Sequence, residues 1–94
     1  MSGQVLEELF ETILQRQAHP GPDSYTSHLL TSGEDEIPKK VGEEAMEVVL
    51  AGKGQGNERL ICEVADLTYH VLVLLAMRGL TPQDVADELV RRRH

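Results

Sequence analysis

Tryptophan is absent from this 94-residue chain, and one Phe and two Tyr are its only aromatic residues apart from histidine. The aromatic cross-strand pairs that stabilise a β-sandwich therefore have little to draw on. Cysteine is almost absent as well. Cys62 stands alone, which excludes an intrachain disulfide, and the opening MSGQVLEELF has neither a basic start nor an apolar stretch after it. Both features lead to the expectation of a cytoplasmic protein. Positive charge is scarce, with nine Lys and Arg against sixteen Asp and Glu and a net charge of −7. Such a balance repels a phosphate backbone, so no nucleic-acid partner is expected, although a phosphorylated small molecule can still be held through divalent cations. The longest apolar-rich run, Leu67 to Met77, contains Thr68, Tyr69 and His70 and falls short of the roughly 20 residues that span a bilayer. No membrane partner is expected either.

Leu, Val and Ala fill the space these absences leave, a composition suited to helices packed on helices. The expected fold is all-α, a bundle of four to five helices in one domain covering residues 1–94. A chain this short buries a marginal core, so association into a homodimer or higher homo-oligomer is expected to complete it. Val5, Leu6, Leu9, Phe10, Ile13 and Leu14 recur at helical spacing, predicting a first helix over about 3–17, stopped by His19-Pro20-Gly21-Pro22. Asp23 and Ser24 suit a turn or N-cap before a short helix ending near Leu30. Val41, Ala45, Val48 and Val49 mark a longer helix whose regular part is expected from Ile37, since Pro38 limits how it begins. Gly52, Gly54 and Gly56 break that pattern. Asn57 is the expected N-cap of a helix running to Arg78, with Gly79 as its stop. Thr81-Pro82-Gln83-Asp84 has the form of a capping box opening a last helix. The run Arg91, Arg92 and Arg93 reads as a cationic helix end.

The chemistry-bearing residues lie on the two long helices. Glu43, Glu44 and Glu47 form E-E-x-x-E, and Glu63 and Asp66 form E-x-x-D. Residues three apart share a helix face, so Glu44 and Glu47 offer one pair of carboxylates and Glu63 and Asp66 another. A short Gly-rich connection favours an antiparallel hairpin in which the pairs meet. Converging carboxylates repel one another unless neutralised, and hard cations such as Mg²⁺ or Mn²⁺ neutralise them. The competing reading is that these are solvated acids of amphipathic helices, paired with Lys39, Lys40 and Arg59. His70, one turn after Asp66, reads as a hydrogen-bonded core residue in preference to a ligand, and Cys62 as a small core residue. Gly42 inside a helix costs about 1 kcal/mol relative to Ala, which points to a close approach to the backbone there.

Ser24-Tyr25-Thr26, Leu29, Gly33, Ile37, the run Lys40-Val41-Gly42-Glu43-Glu44-Ala45 with Glu47-Val48, and Glu63-Val64-Ala65-Asp66-Leu67 with Tyr69-His70 together resemble the phosphoribosyl-ATP pyrophosphohydrolase family. The acidic motifs alone mark only the wider MazG-like all-α nucleotide pyrophosphohydrolases. The Ser-Tyr-Thr segment and the Lys40–Ala45 run narrow the resemblance. It implies Mg²⁺-dependent hydrolysis of phosphoribosyl-ATP to phosphoribosyl-AMP and pyrophosphate, the second step of L-histidine biosynthesis. By the same resemblance Glu44, Glu47, Glu63 and Asp66 are the metal ligands, and Glu43 is a further ligand or an acid that helps activate water. Arg16 and Lys40 are implied in phosphate contact. Ser24, Tyr25 and Thr26 are the candidates for substrate recognition because carboxylates can engage only metal and phosphates, the alternative being that Ser24 caps a short helix and Tyr25 fills core. Pro38 departs from the family pattern and places the geometry near Lys40 in question. Two other readings stay open: a housekeeping hydrolase of non-standard nucleoside triphosphates, and a helical dimerisation module whose acids only solubilise it.

Overall fold

Proline lacks a backbone N–H, and the first turn of a helix is where that group has no intrahelical partner. Pro38 occupies this position. It is the third residue of α3, Glu36–Gly52, whose N-cap is Asp35, and the helix is neither delayed nor interrupted. The other elements of the computed structural model are α1 (Ser2–Ala18), α2 (Tyr25–Thr31), α4 (Asn57–Met77) and α5 (Pro82–Arg91). The structure describes residues 2–22 and 24–93, with the side chains of residues 2 and 3 excepted; Asp23, expected in the turn before α2, lies outside them. The all-α expectation holds, with no strand among the described residues.

Local chemistry explains most boundaries. Ser24 caps α2, its hydroxyl accepting from the Ser27 N–H at 3.1 Å. Thr81 and Asp84 form the expected capping box: the Asp84 N–H donates to the Thr81 hydroxyl at 3.2 Å, and the Thr81 N–H donates to the Asp84 carboxylate at 2.9 Å. At the end of α4 the N–H of Leu80 donates to the Leu75 carbonyl and that of Gly79 to the Ala76 carbonyl, a Schellman closure that needs the positive φ of 73° at Gly79. The start of α4 differs from expectation. Gly56, at φ 93°, is the N-cap, and Asn57 is already the first helical residue. The chain must turn back within residues 53–56, and only glycine adopts the backbone conformation this requires without strain.

α3 and α4 pack side by side along this hairpin, with α1 and α2 laid against α4. Phe10 and Ile13 of α1, Leu29 of α2, Ile37 of α3 and Leu72 and Val73 of α4 form the core. The Gln17 side-chain amide donates to the Ala76 carbonyl at 3.2 Å, tying the end of α1 to the end of α4. By length and composition α4 is the one helix among those described that could cross a membrane, because the whole element extends well beyond the apolar run in its second half. That half is instead the centre of the bundle, with His70, Leu72, Val73 and Ala76 buried. α5 buries none of its residues. The arginines that end it fold back on Glu88: Arg91 pairs with both carboxylate oxygens, and Arg92 Nε donates at 2.7 Å. These contacts hold the Glu88 carboxyl below its usual range.

Ile37, with no exposed surface, sits where α3 meets the core. Replacing it by Ala is expected to cost about 2–5 kcal/mol through lost burial and the cavity left behind. Urea unfolding should show a lowered midpoint with an unchanged slope; an unchanged midpoint would mean that these contacts do not hold in solution.

Candidate metal centre

Residues 53–56 fold α4 back on α3 and bring carboxylates from two parts of the chain to one place. Glu44 of α3 and Glu63 and Asp66 of α4 each present a carboxylate oxygen, and all three oxygens lie within 4.8 Å of one another. Oxygens bound to one divalent cation at 2.0–2.6 Å are roughly 3–5 Å apart, so this donor set fits a hard cation. Glu63 is buried, Glu44 is partly covered and Asp66 is exposed, which leaves one side of the cluster open to a ligand.

Burying an ionised carboxylate requires a compensating charge. Arg59 supplies one, its guanidinium 2.5 Å from the Glu63 carboxylate, while the arginine itself stays largely in water. The other acids are arranged differently. Glu43 is exposed and pairs with Lys40 at 3.5 Å, and it is not one of the cluster of three. Glu47 is exposed one turn after Glu44 and lies outside that cluster. Lys40 is held above its ordinary pKa, first by the Tyr25 oxygen and then, against the effect of burial, by Glu43 and Glu44. It is therefore a full cation at neutral pH, placed between the acids and α2.

The Ser-Tyr-Thr segment is tied to α4. The Tyr25 hydroxyl lies 2.9 Å from His70 Nε2, and the Thr26 hydroxyl is hydrogen-bonded to Tyr69. Partial burial of its hydroxyl end raises the Tyr25 phenol above its ordinary pKa, with Lys40 acting in the opposite sense. The Ser24 hydroxyl is occupied by its capping bond. Arg16 and Ser24 line a shallow pocket of about 290 Å³ with Gly21 and Pro22. Partners 43 and 45 residues apart carry no spacing signal, so Tyr69 and His70 could not be joined to this segment from sequence. A hollow of about 830 Å³ between the α2–α3 loop and the end of α4 is lined by Glu34 and Asp35 but by none of the candidate ligands.

Two expectations need correction. Cys62 is exposed, not part of the core, because it precedes the inward-facing Glu63 and so points off the packed face of α4. Gly42 has nothing within 4 Å of where a Cβ would stand, so no close approach explains it.

The model of the phosphoribosyl-ATP pyrophosphohydrolase family matches residues 6–93. The chain belongs to that family. It is 51% identical over 95% of its length to a phosphoribosyl-ATP pyrophosphatase of Pelotomaculum thermopropionicum, covering 91% of that protein. It is 52% identical to one from Pyrobaculum calidifontis and 44% identical to one from Saccharolobus solfataricus. The Pyrobaculum match covers 98% of each chain and the Saccharolobus match 99% of each.

Arg59 pairs with the Glu63 carboxylate, a group that a bound cation would also claim. Arg59→Gln is expected to lower the melting temperature without metal and to enlarge the rise that Mg²⁺ produces. Differential scanning calorimetry with and without Mg²⁺ measures both; a smaller Mg²⁺-induced rise in the variant would show that Arg59 supports the cation rather than opposing it.

Proposed function

We propose that Glu44, Glu63 and Asp66 hold Mg²⁺, or Mn²⁺ in its place, for the hydrolysis of phosphoribosyl-ATP to phosphoribosyl-AMP and pyrophosphate, the histidine-biosynthetic reaction of the family. The observation that carries this reading is the convergence of three carboxylate oxygens from two helices. Glu47, on the same face of α3 as Glu44, is the proposed fourth ligand on the open side. When bound, the cation offsets charge on the phosphates and lowers the pKa of the attacking water. Glu43, next in sequence to Glu44 and paired with Lys40, is the proposed acceptor of a proton from water. Lys40, cationic and close to both Glu43 and Glu44, is placed to contact phosphate oxygens. Arg16 is the second proposed phosphate contact, and it shares its pocket with Ser24.

The acids engage cation and phosphates, groups common to every nucleoside triphosphate. Recognition of the sugar and the base therefore falls to the segment from Arg16 to Gly33, with Ser24, Tyr25 and Thr26 at its centre. We further propose that the enzyme is cytoplasmic and works as a homodimer or larger homo-oligomer. Apolar side chains left exposed on three helices support the association: Val49 and Leu50 on α3, Ile61 and Val64 on α4, and Leu89 and Val90 on α5. Packing them against a second copy removes that surface from water.

Pyrophosphate release from phosphoribosyl-ATP should require a divalent cation, stop with EDTA and resume with Mg²⁺. Faster turnover of dITP or dUTP would instead assign the chain to housekeeping hydrolysis of non-standard nucleotides. Glu44→Gln, Glu47→Gln, Glu63→Gln and Asp66→Asn are each expected to lose more than the roughly 10–100-fold that follows loss of a ligand's hydrogen-bond partner, while circular dichroism shows the helices intact. Near-normal turnover in any two would overturn the ligand set. Sedimentation equilibrium at micromolar concentration should give a mass above the 10.4 kDa of one chain; a stable monomer would refute the association.

A further inference from the structure

His70 is 5% exposed, lies one turn after Asp66 on α4, and uses both ring nitrogens. Nδ1 is 2.8 Å from the backbone carbonyl of Asp66. A carbonyl has no proton to give, so Nδ1 carries the hydrogen and donates it. In the neutral imidazole Nε2 is then a bare acceptor, and the Tyr25 hydroxyl 2.9 Å away must be the donor. A phenol has one hydrogen. With that hydrogen committed to His70, the oxygen of Tyr25 has only lone pairs left to offer. Phosphate oxygens are acceptors too and cannot bond to it. A sugar hydroxyl or an exocyclic amine can.

The ring is held as firmly as the hydroxyl. Tyr25 stacks on Tyr69 with centroids 6.0 Å apart at 26°, and meets the edge of His70 at 5.9 Å and 82°. Yet 51% of Tyr25 stays exposed, so the residue is fixed in direction and open to a ligand. Its neighbour Lys40 is engaged with Glu43 at 3.5 Å.

We propose that His70 is a positioning residue that sets the polarity of the Tyr25 hydroxyl, so that Tyr25 accepts a hydrogen bond from a hydroxyl or amino group of the nucleotide substrate and takes no part in phosphate binding. The proposal rests on the functional reading above for the identity of the substrate, but not for the polarity itself. It divides the surroundings of the acids by hydrogen-bond sign. Lys40 and Arg16 offer donors to the phosphates; Tyr25 offers an acceptor to what the phosphates are attached to.

The polarity is tested without turnover. Long-range ¹H–¹⁵N correlation spectra of the full chain labelled at histidine nitrogen, at mildly alkaline pH, should show His70 with its hydrogen on Nδ1 and Nε2 unprotonated. In Tyr25→Phe the Nε2 resonance should shift while the tautomer persists. A hydrogen on Nε2, or an Nε2 resonance unmoved by Tyr25→Phe, overturns the proposal.

The recognition role is tested by kinetics. Tyr25→Phe and His70→Phe should each raise KM for phosphoribosyl-ATP by about 3- to 10-fold, the range that loss of one hydrogen bond gives, with kcat little changed. The double variant should be no worse than Tyr25→Phe alone, since His70 acts only through the Tyr25 hydroxyl. His70→Gln, whose amide oxygen can accept from Tyr25, should recover most of the loss. Inhibition by inorganic pyrophosphate in the presence of Mg²⁺ should stay within about twofold of wild type in every variant, as only a role confined to the non-phosphate part predicts. Additive losses, a fall in kcat alone, or pyrophosphate inhibition weakened in step with KM would each overturn it. Absence of any turnover in the wild-type chain would refute the functional reading, while the tautomer would still be decided by the spectra.

Discussion

Glu63 is a carboxylate with 3% of its surface exposed, on the helix that forms the centre of the bundle. An ionised group in such a place has to be compensated, and the means of compensation organise its surroundings. Arg59, one turn earlier on the same helix, reaches it from the water side. Glu44 and Asp66 add negative charge beside it rather than relieving it. A fold that gathers two further acids around one buried carboxylate and pairs that carboxylate with a single arginine is electrostatically under-neutralised, and the deficit has the sign and donor type that a hard divalent cation meets. The Gly-rich turn at residues 53–56 and the side-by-side packing of α3 and α4 are what make this arrangement geometrically available.

The second polar system is built on different terms. Tyr25, Thr26, Tyr69 and His70 are linked by hydrogen bonds between α2 and α4, and among the described residues no buried side-chain nitrogen or oxygen lacks a partner. Satisfied polar groups of this kind are rigid, because any rotation leaves a donor or acceptor unmade in a poorly solvated place. The acidic cluster thus carries uncompensated charge, while the polar system between α2 and α4 is complete.

Much of this was readable from the sequence, and what was not has physical reasons. The capping box at Thr81 and Asp84 and the glycine stop at Gly79 were legible because each depends on residues a few positions apart. The face shared by Glu63 and Asp66, and its meeting with Glu44, followed from helical spacing and a short connection. Asn57 was misplaced by one residue because a glycine with positive φ can cap a helix as an asparagine does, and sequence alone does not separate them. Cys62 was assigned to the core because its neighbours are apolar, yet a helix turns 100° per residue and the residue beside an inward Glu63 points elsewhere. The bond between Tyr25 and His70 was hidden altogether, since it depends on how α2 docks on α4 and not on any spacing within either.

The three clustered acids all come from one hairpin, between residues 44 and 66. Closing that loop is entropically inexpensive compared with bringing α1 onto the end of α4, so contacts within the hairpin belong to the low-contact-order part of the folding reaction. A cation that captures the hairpin would therefore act on the nascent chain as well as on the finished enzyme. It would lock the register of α3 against α4 before the rest of the bundle has closed, so that the ion would serve the folding chain as a template.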